Sequence, residues 1–165
     1  MIQYSILPSG RLEFIRSKDL DEFFELAKIF ECTQIPKGER LAVVTYSGEI
    51  GAMVADACRE YGLKLAELSK DTVVEKIRPT LPPSVKVSNP LYSFAVGVPF
   101  DINVVYRIPF EAFMDDPNVD MVLLCFIMDR LVWRIDFGDI LNDLKSIQIK
   151  PVVAWAVGNA DLVRE

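Results

Sequence analysis

The run from Arg40 to Ala57 limits the possible folds more than any other stretch of this chain. Leu41-Ala42-Val43-Val44-Thr45 is short and apolar; Tyr46-Ser47-Gly48-Glu49-Ile50-Gly51 follows, then a run of helix formers. An unbroken apolar run of that length reads as a strand covered on both faces, as in parallel sheets. The Ser-Gly turn then leads into a helix, expected over Gly51–Tyr61 with Gly62 at its stop. A helix that starts at the end of a buried strand presents backbone N–H groups with no intrahelical acceptor, an arrangement that suits phosphate. Ser47, Gly48, Glu49, Ile50 and Gly51 are therefore the candidate phosphate-binding residues, with Ser47 adding a hydroxyl donor. The same turn also has a purely geometric reading, since any tight strand-to-helix turn uses Ser and Gly. Glu49 favours the second reading, because a carboxylate repels phosphate at close range.

The pattern continues along the chain. Helical spacing over 19–31 puts Leu20, Phe23, Phe24, Ala27 and Phe30 on one face, with Ser17 as the expected N-cap. Pro36-Lys37-Gly38 breaks the chain before Leu41. Leu63–Leu68 suits a second strand, and Ser69 should cap a helix over Lys70–Arg78 that Pro79, Pro82 and Pro83 end. Residues 84–101 read as irregular. A helix is expected over Val105–Met114 in spite of Pro109, followed by a turn at Asp115-Asp116-Pro117-Asn118. Val119–Met128 is the strongest strand, almost wholly apolar, and Ile135–Ile147 and Pro151–Ala156 read as a helix and a closing strand. Strands alternating with helices across short loops imply a parallel sheet with helices on both faces. Ligands of such sheets bind beyond the carboxyl ends of the strands. That edge would hold Tyr46–Gly51, Ser88–Ser93, Asp129–Trp133 and Val157–Asp161.

Composition narrows the chemistry. The 165 residues fit one domain, residues 1–165, with 1–38 as an N-terminal helical lead-in. A net charge of -6 makes nucleic acid a poor partner. The chain has no histidine, which excludes a Ser-His-Asp triad, a Cys-His dyad, a histidine metal site and a phosphohistidine of its own. Cys32, Cys58 and Cys125 form no CxxC pair and read as free buried thiols. The longest apolar runs are too short to span a bilayer as a helix, and Met1–Arg16 lacks a signal-peptide pattern, so the expected location is the cytoplasm, with no membrane partner.

The remaining clusters are weaker. Asp115, Asp116 and Asp120 flank a Pro-Asn turn and lack the ligand spacing of a calcium loop, so no metal site is assigned. Trp133 and Trp155 read as core or rim packing. Arg130 and Arg134 suit either an anion or ordinary surface pairing. The apolar loop Ser93–Val104 reads as core packing or as a partner surface.

Three segments in order resemble the acyl-CoA synthetases that form a nucleoside diphosphate, the family of ADP-forming acetyl-CoA synthetase and succinyl-CoA synthetase. They are Arg40–Ala57; Tyr61–Ser69 with Leu81-Pro82-Pro83 and Val87-Ser88-Asn89-Pro90; and Asp115–Asp120 before Met121. The resemblance implies a flavodoxin-like α/β three-layer sandwich with a mostly parallel sheet of about four to five strands. It implies the family's histidine-free module, which supplies a helix N-terminus to a phosphohistidine borne by another domain. No catalytic residue would then lie in this chain, and no cofactor would bind to it alone. CoA and ATP or ADP with magnesium would serve the full assembly. The implied partners are the phosphohistidine-bearing CoA-binding domain and the ATP-grasp domain, with self-association left open. Two positions depart from the family pattern: Glu49 replaces a glycine, and Asn89-Pro90-Leu91-Tyr92 lacks the usual acid. These departures motivate the alternative of a non-catalytic scaffold or regulatory binding protein derived from the family. A flavin- or nucleotide-binding protein acting alone ranks last, because the Ser/Thr-rich phosphate loop is absent.

Overall fold

The computed structural model describes residues 3–6, 13–83, 85–92, 106–128, 142 and 149–158. The expected helix at 135–147, the loop Ser93–Val104, and Asp129, Arg130, Trp133 and Arg134 lie outside the described residues, apart from the single position 142. The segment before residue 38 is more than a helical lead-in. Strands β1 (Gln3–Ile6) and β2 (Glu13–Arg16) pair antiparallel as a separate two-stranded sheet. Helix α1 (Leu20–Cys32) follows, and its N-cap is Asp19, not Ser17: the Asp19 carboxylate accepts the Glu22 N–H at 2.8 Å. An N-cap acceptor must reach the N–H of the second or third helical position, and Glu22 is the third after Asp19.

The main sheet is built on β3 (Arg40–Thr45). Helix α2 (Gly48–Tyr61) leaves its end and stops at Gly62, whose φ of 75° is the left-handed conformation glycine adopts without a Cβ clash. Strand β4 is only Lys64–Leu65, shorter than the predicted Leu63–Leu68. The next helix is π-type over Asp71–Ile77 and tightens to a 3-10 turn at Arg78–Thr80, so it passes Pro79 before it ends. Ser69 does cap it, its hydroxyl accepting the Thr72 N–H. Strand β5 is Leu91–Tyr92, helix α3 is Ile108–Asp115, β6 is Met121–Met128 and β7 is Val152–Gly158. Pro109 lies in the first turn of α3, where its missing N–H had no helical acceptor to lose.

All pairings in this sheet are parallel, in the order β4-β3-β6-β7, with β5 also on β3. β4 pairs the start of β3 at Arg40 and Leu41, and β5 pairs its end at Val44 and Thr45. The two short strands are thus halves of one broken strand. Counted that way, the spatial order is second, first, third, fourth, the winding of a flavodoxin-like sheet. Its switch point, where successive connections run to opposite sides, lies between β3 and β6.

Side chains bury both faces of that centre. Leu41, Val43 and Cys125 pack with Cys58 of α2 on one side. Ala42, Val44, Val122, Leu124 and Phe126 pack with Ile77, Tyr106, Phe110 and Phe113 on the other. Fully burying a Phe or Leu here is worth roughly 1.5–3 kcal/mol. Tyr106 satisfies its hydroxyl by donating to the Cys125 carbonyl at 2.9 Å, and its ring lies 4.6 Å from that of Phe126. Of the three thiols, Cys58 and Cys125 are buried as expected, and burial pushes the Cys125 thiol up to about 11. Cys32 is exposed, because α1 buries none of its residues.

Candidate functional site

The candidate turn sits at the carboxyl end of β3, beside the switch point, and the structure brings its five residues together. Ser47 is extended (φ -114°, ψ 133°) and caps α2, which starts at Gly48, three residues before the expected start. The cap answers one of the free amides of α2: the Ile50 N–H reaches the Ser47 hydroxyl at 3.5 Å, and the Gly51 N–H makes the first intrahelical bond, to the Ser47 carbonyl at 3.1 Å. Thr45, fully buried, ties the turn to the strand: its hydroxyl donates to the Ser47 carbonyl at 2.9 Å and accepts the Ser47 N–H at 3.2 Å.

Glu49 folds back on the same turn. Its carboxylate accepts from the Ser47 hydroxyl. The Ser47 hydroxyl foremost, and then the Glu49 backbone N–H, hold the carboxyl below its ordinary range. An anion supplied by the chain itself therefore occupies a donor that a phosphate would use. Gly48 and Glu49 are exposed and Gly51 is buried. A Cβ on Gly51 would lie 3.3 Å from Thr45 Cγ2 and 3.4 Å from Pro90 Cβ, so glycine is what lets α2 start this close to the sheet.

Pro90 reaches that spot because Asn89 fills the gap between β4 and β5. The Asn89 Oδ1 accepts the Val43 N–H at 2.9 Å, and its Nδ2 donates to the carbonyls of Leu41 (2.8 Å) and Ala66 (3.0 Å). One side-chain amide thus continues the ladder that neither short strand completes. The Asn89-Pro90 peptide is cis. Sequence reasoning placed this dipeptide at the ligand edge and in the resemblance, but not its hydrogen bonds to the sheet; Leu63–Leu68, with Lys64 and Glu67 among its leucines, alternates too unevenly for a full strand. Past Pro90, Tyr92 is exposed and neighbours Tyr46, whose phenol is raised first by burial and then by Tyr92.

The turn acids sit at the opposite end of the sheet, and each has a partner. Asp120 grips Arg40 with two side-chain bonds of 2.8 Å and accepts the Arg40 N–H at 2.9 Å, which lowers its carboxyl to about 2. Asp116, buried, accepts the Ser69 and Asn118 N–H groups at 2.8 Å; burial opposes these bonds, but together they outweigh it and lower the carboxyl. Asp115 pairs with Lys76 at 3.1 Å. Lys150 donates to the Phe113 and Asp116 carbonyls at the end of α3, and burial lowers its ammonium. Among the described residues no cluster of Cys, Asp and Glu is arranged to hold a metal ion, and no helix is long and apolar enough to cross a membrane.

Known proteins share this fold. The chain is 35% identical over 149 residues to acetate–CoA ligase (ADP-forming) II of Archaeoglobus fulgidus, covering 90% of the chain and 22% of that protein. It is 37% identical over 110 residues to the alpha subunit of the Pyrococcus furiosus acetate–CoA ligase (ADP-forming) II, covering 66% of the chain and 22% of the subunit. The chain is homologous to one segment of the ADP-forming acetate–CoA ligases. A crystal structure from Pyrococcus horikoshii OT3 superposes on the chain with a TM-score of 0.71 at 27% identity, over 90% of the chain and 34% of that structure. At 23% identity, the Candidatus Korarchaeum cryptofilum dinucleotide-forming acetyl-coenzyme A synthetase 1, solved with phosphate and ADP, shares the fold with a TM-score of 0.72, over 90% of the chain and 31% of that structure. No protein-family model matches the chain. The chain spans about a fifth of the length of these two curated relatives.

Proposed function

We propose that the chain is the histidine-free module of an acyl-CoA synthetase that converts acyl-CoA, ADP and phosphate to acid, CoA and ATP. In this reading residues 1–165 form one module, and its work requires a CoA-binding domain with a phosphorylated histidine and an ATP-grasp domain. The α2 N-terminus meets the phosphoryl group on that histidine, with Ser47 and the amides of Gly48, Glu49 and Ile50 as donors and Gly51 holding the helix start against the sheet. Cytoplasmic location follows from the same reading. The observation that carries it is the homology over 149 residues, together with a capped helix N-terminus at the carboxyl end of the switch-point strand.

Such a site works by preorganisation. The amides are fixed by the strand-to-helix turn before the anion arrives, so no backbone reorganises as charge develops. Glu49 must then swing out as the phosphoryl group enters, releasing the Ser47 hydroxyl. Gly48 faces open space: a Cβ added there would meet no atom within 4 Å, which leaves room for that approach.

Two observations favour the second reading, a non-catalytic relative. The Glu49 carboxylate already takes the Ser47 hydroxyl, and the acid of the Asn-Pro motif is replaced by Tyr92. A reconstitution decides between them. The chain is combined with the histidine-bearing and ATP-grasp polypeptides encoded in the same genome, and ATP formation from acetyl-CoA, ADP and phosphate is measured with and without it. The first reading expects activity only with the chain present and a changed rate for Glu49→Gly. Equal activity without the chain, or an assembly indifferent to Glu49→Gly, supports the scaffold.

A further inference from the structure

We infer that the apolar face of α1 is a docking surface for an apolar groove rimmed by Lys and Arg on another domain of the ligase assembly. The proposal rests on the reading of the chain as one module of such an assembly. Helix α1 has the composition of a buried helix and the exposure of a surface one. Leu20, Phe23, Phe24 and Phe30 fall on one face, yet they are 73%, 53%, 57% and 52% exposed, and α1 buries no residue. An amphipathic helix ordinarily turns such a stripe to a core. Among the described residues the far end is anchored to the sheet where the Thr33 hydroxyl accepts the Val152 N–H at 3.3 Å. Phe23 and Phe24 meet edge-to-face at 5.7 Å, so the stripe is already a joined aromatic surface.

Charge selects among occupants. Within Leu20–Cys32 stand four acids, Asp21, Glu22, Glu25 and Glu31, against one base, Lys28, a net of -3. Lys28 is engaged with Glu25, and Glu22 with Lys18, while Asp21 and Glu31 have no ion-pair partner among the described residues. A second copy would bring two such acidic helices together, in a chain whose own net charge is -6, and like charges oppose that pairing. A lipid surface selects helices rich in Lys and Arg on the polar face, the reverse of α1. A groove with apolar walls and basic rims answers both the stripe and the acids, the helix-in-groove mode of recognition. The matched relatives share only 22% of their length with this chain, and the additional polypeptide that makes up the rest is where such a groove belongs.

The test uses the full chain with the histidine-bearing and ATP-grasp polypeptides of the same genome. Complex formation is followed by light scattering after size exclusion, and affinity by titration at low and high salt. Phe23→Ser with Phe24→Ser removes the centre of the stripe; both side chains are exposed, so the far-ultraviolet circular dichroism should be unchanged. Asp21→Lys with Glu31→Lys reverses the charge of the two acids left without an ion pair. Met53→Ser, exposed on α2, is the control. The expected result is a complex weakened at least tenfold by either double substitution, weakened by salt, and unaffected by Met53→Ser. A complex that forms with unchanged affinity in both double variants overturns the surface and leaves the module reading standing. No complex with the unaltered chain overturns both. A dimer of the chain that the Phe23/Phe24 variant dissolves assigns the face to self-association and overturns the proposal.

Discussion

The two ends of the sheet are built differently. At the amino ends of β3 and β6, every carboxylate is answered: Asp120 by Arg40, Asp116 by Ser69 and Asn118, Asp115 by Lys76. At the carboxyl end of β3, one exposed carboxylate lies folded over a helix N-terminus. The first end locks the fold with bonds that reach across 39 to 80 residues of chain. Among the described residues the bonds of Ser47, Glu49 and Ile50 at the second end run to neighbours in sequence, so an incoming group can exchange with them. The difference shows where a doubly wound sheet places its side chains: rigid closure at the floor, adjustable polar groups at the ligand edge.

Substitutions along this axis should grade accordingly. Asn89→Ala stands between the two ends and should cost most, about 3 kcal/mol, because three hydrogen bonds of roughly 1 kcal/mol each are lost and the Val43 N–H is left buried. The midpoint of urea denaturation reads it. Asp120→Asn should cost about 2 kcal/mol, part of the pair being open to solvent. It should also flatten the acid limb. The Asp120 carboxyl lies at about 2 in the folded chain against 3.8 ordinarily, so its contribution is full above 3.8 and vanishes as pH falls towards 2. Stability measured as pH falls through that window should therefore drop less steeply in Asp120→Asn than in the unaltered chain. Ser47→Ala should cost about 1 kcal/mol, the usual worth of an N-cap. A cost at Ser47 larger than at Asp120 would reverse the comparison.

Much of this floor plan was legible in the sequence. Arg40–Thr45 and Met121–Met128 announced central strands because both faces are apolar, and Gly62 announced the end of α2 because a left-handed residue was needed. The turn at Ser47–Gly51 was legible by the same reasoning, since Ser and Gly before a helical run mark a strand-to-helix turn. The pairing of β1 with β2 was missed, although Pro8-Ser9-Gly10 between two short runs was its signal. The role of Asn89 was out of reach, because it depends on β4 stopping at Leu65 and on a strand 46 residues away from the amide it serves. The folded-back Glu49 was legible only as a conflict of charge; its resolution needed the position of the Ser47 hydroxyl.

Gly48→Pro tests the central claim most directly. Gly48 is the first residue of α2, where proline is tolerated, and Ser47 before it is already extended, as a residue preceding proline must be. The substitution removes one N–H from the proposed phosphoryl site and should leave stability within about 0.5 kcal/mol. In the reconstituted assembly, transfer of phosphoryl from the partner's histidine to ADP should slow at least tenfold. Transfer at the unaltered rate, with the variant folded and incorporated in the assembly, would contradict the account.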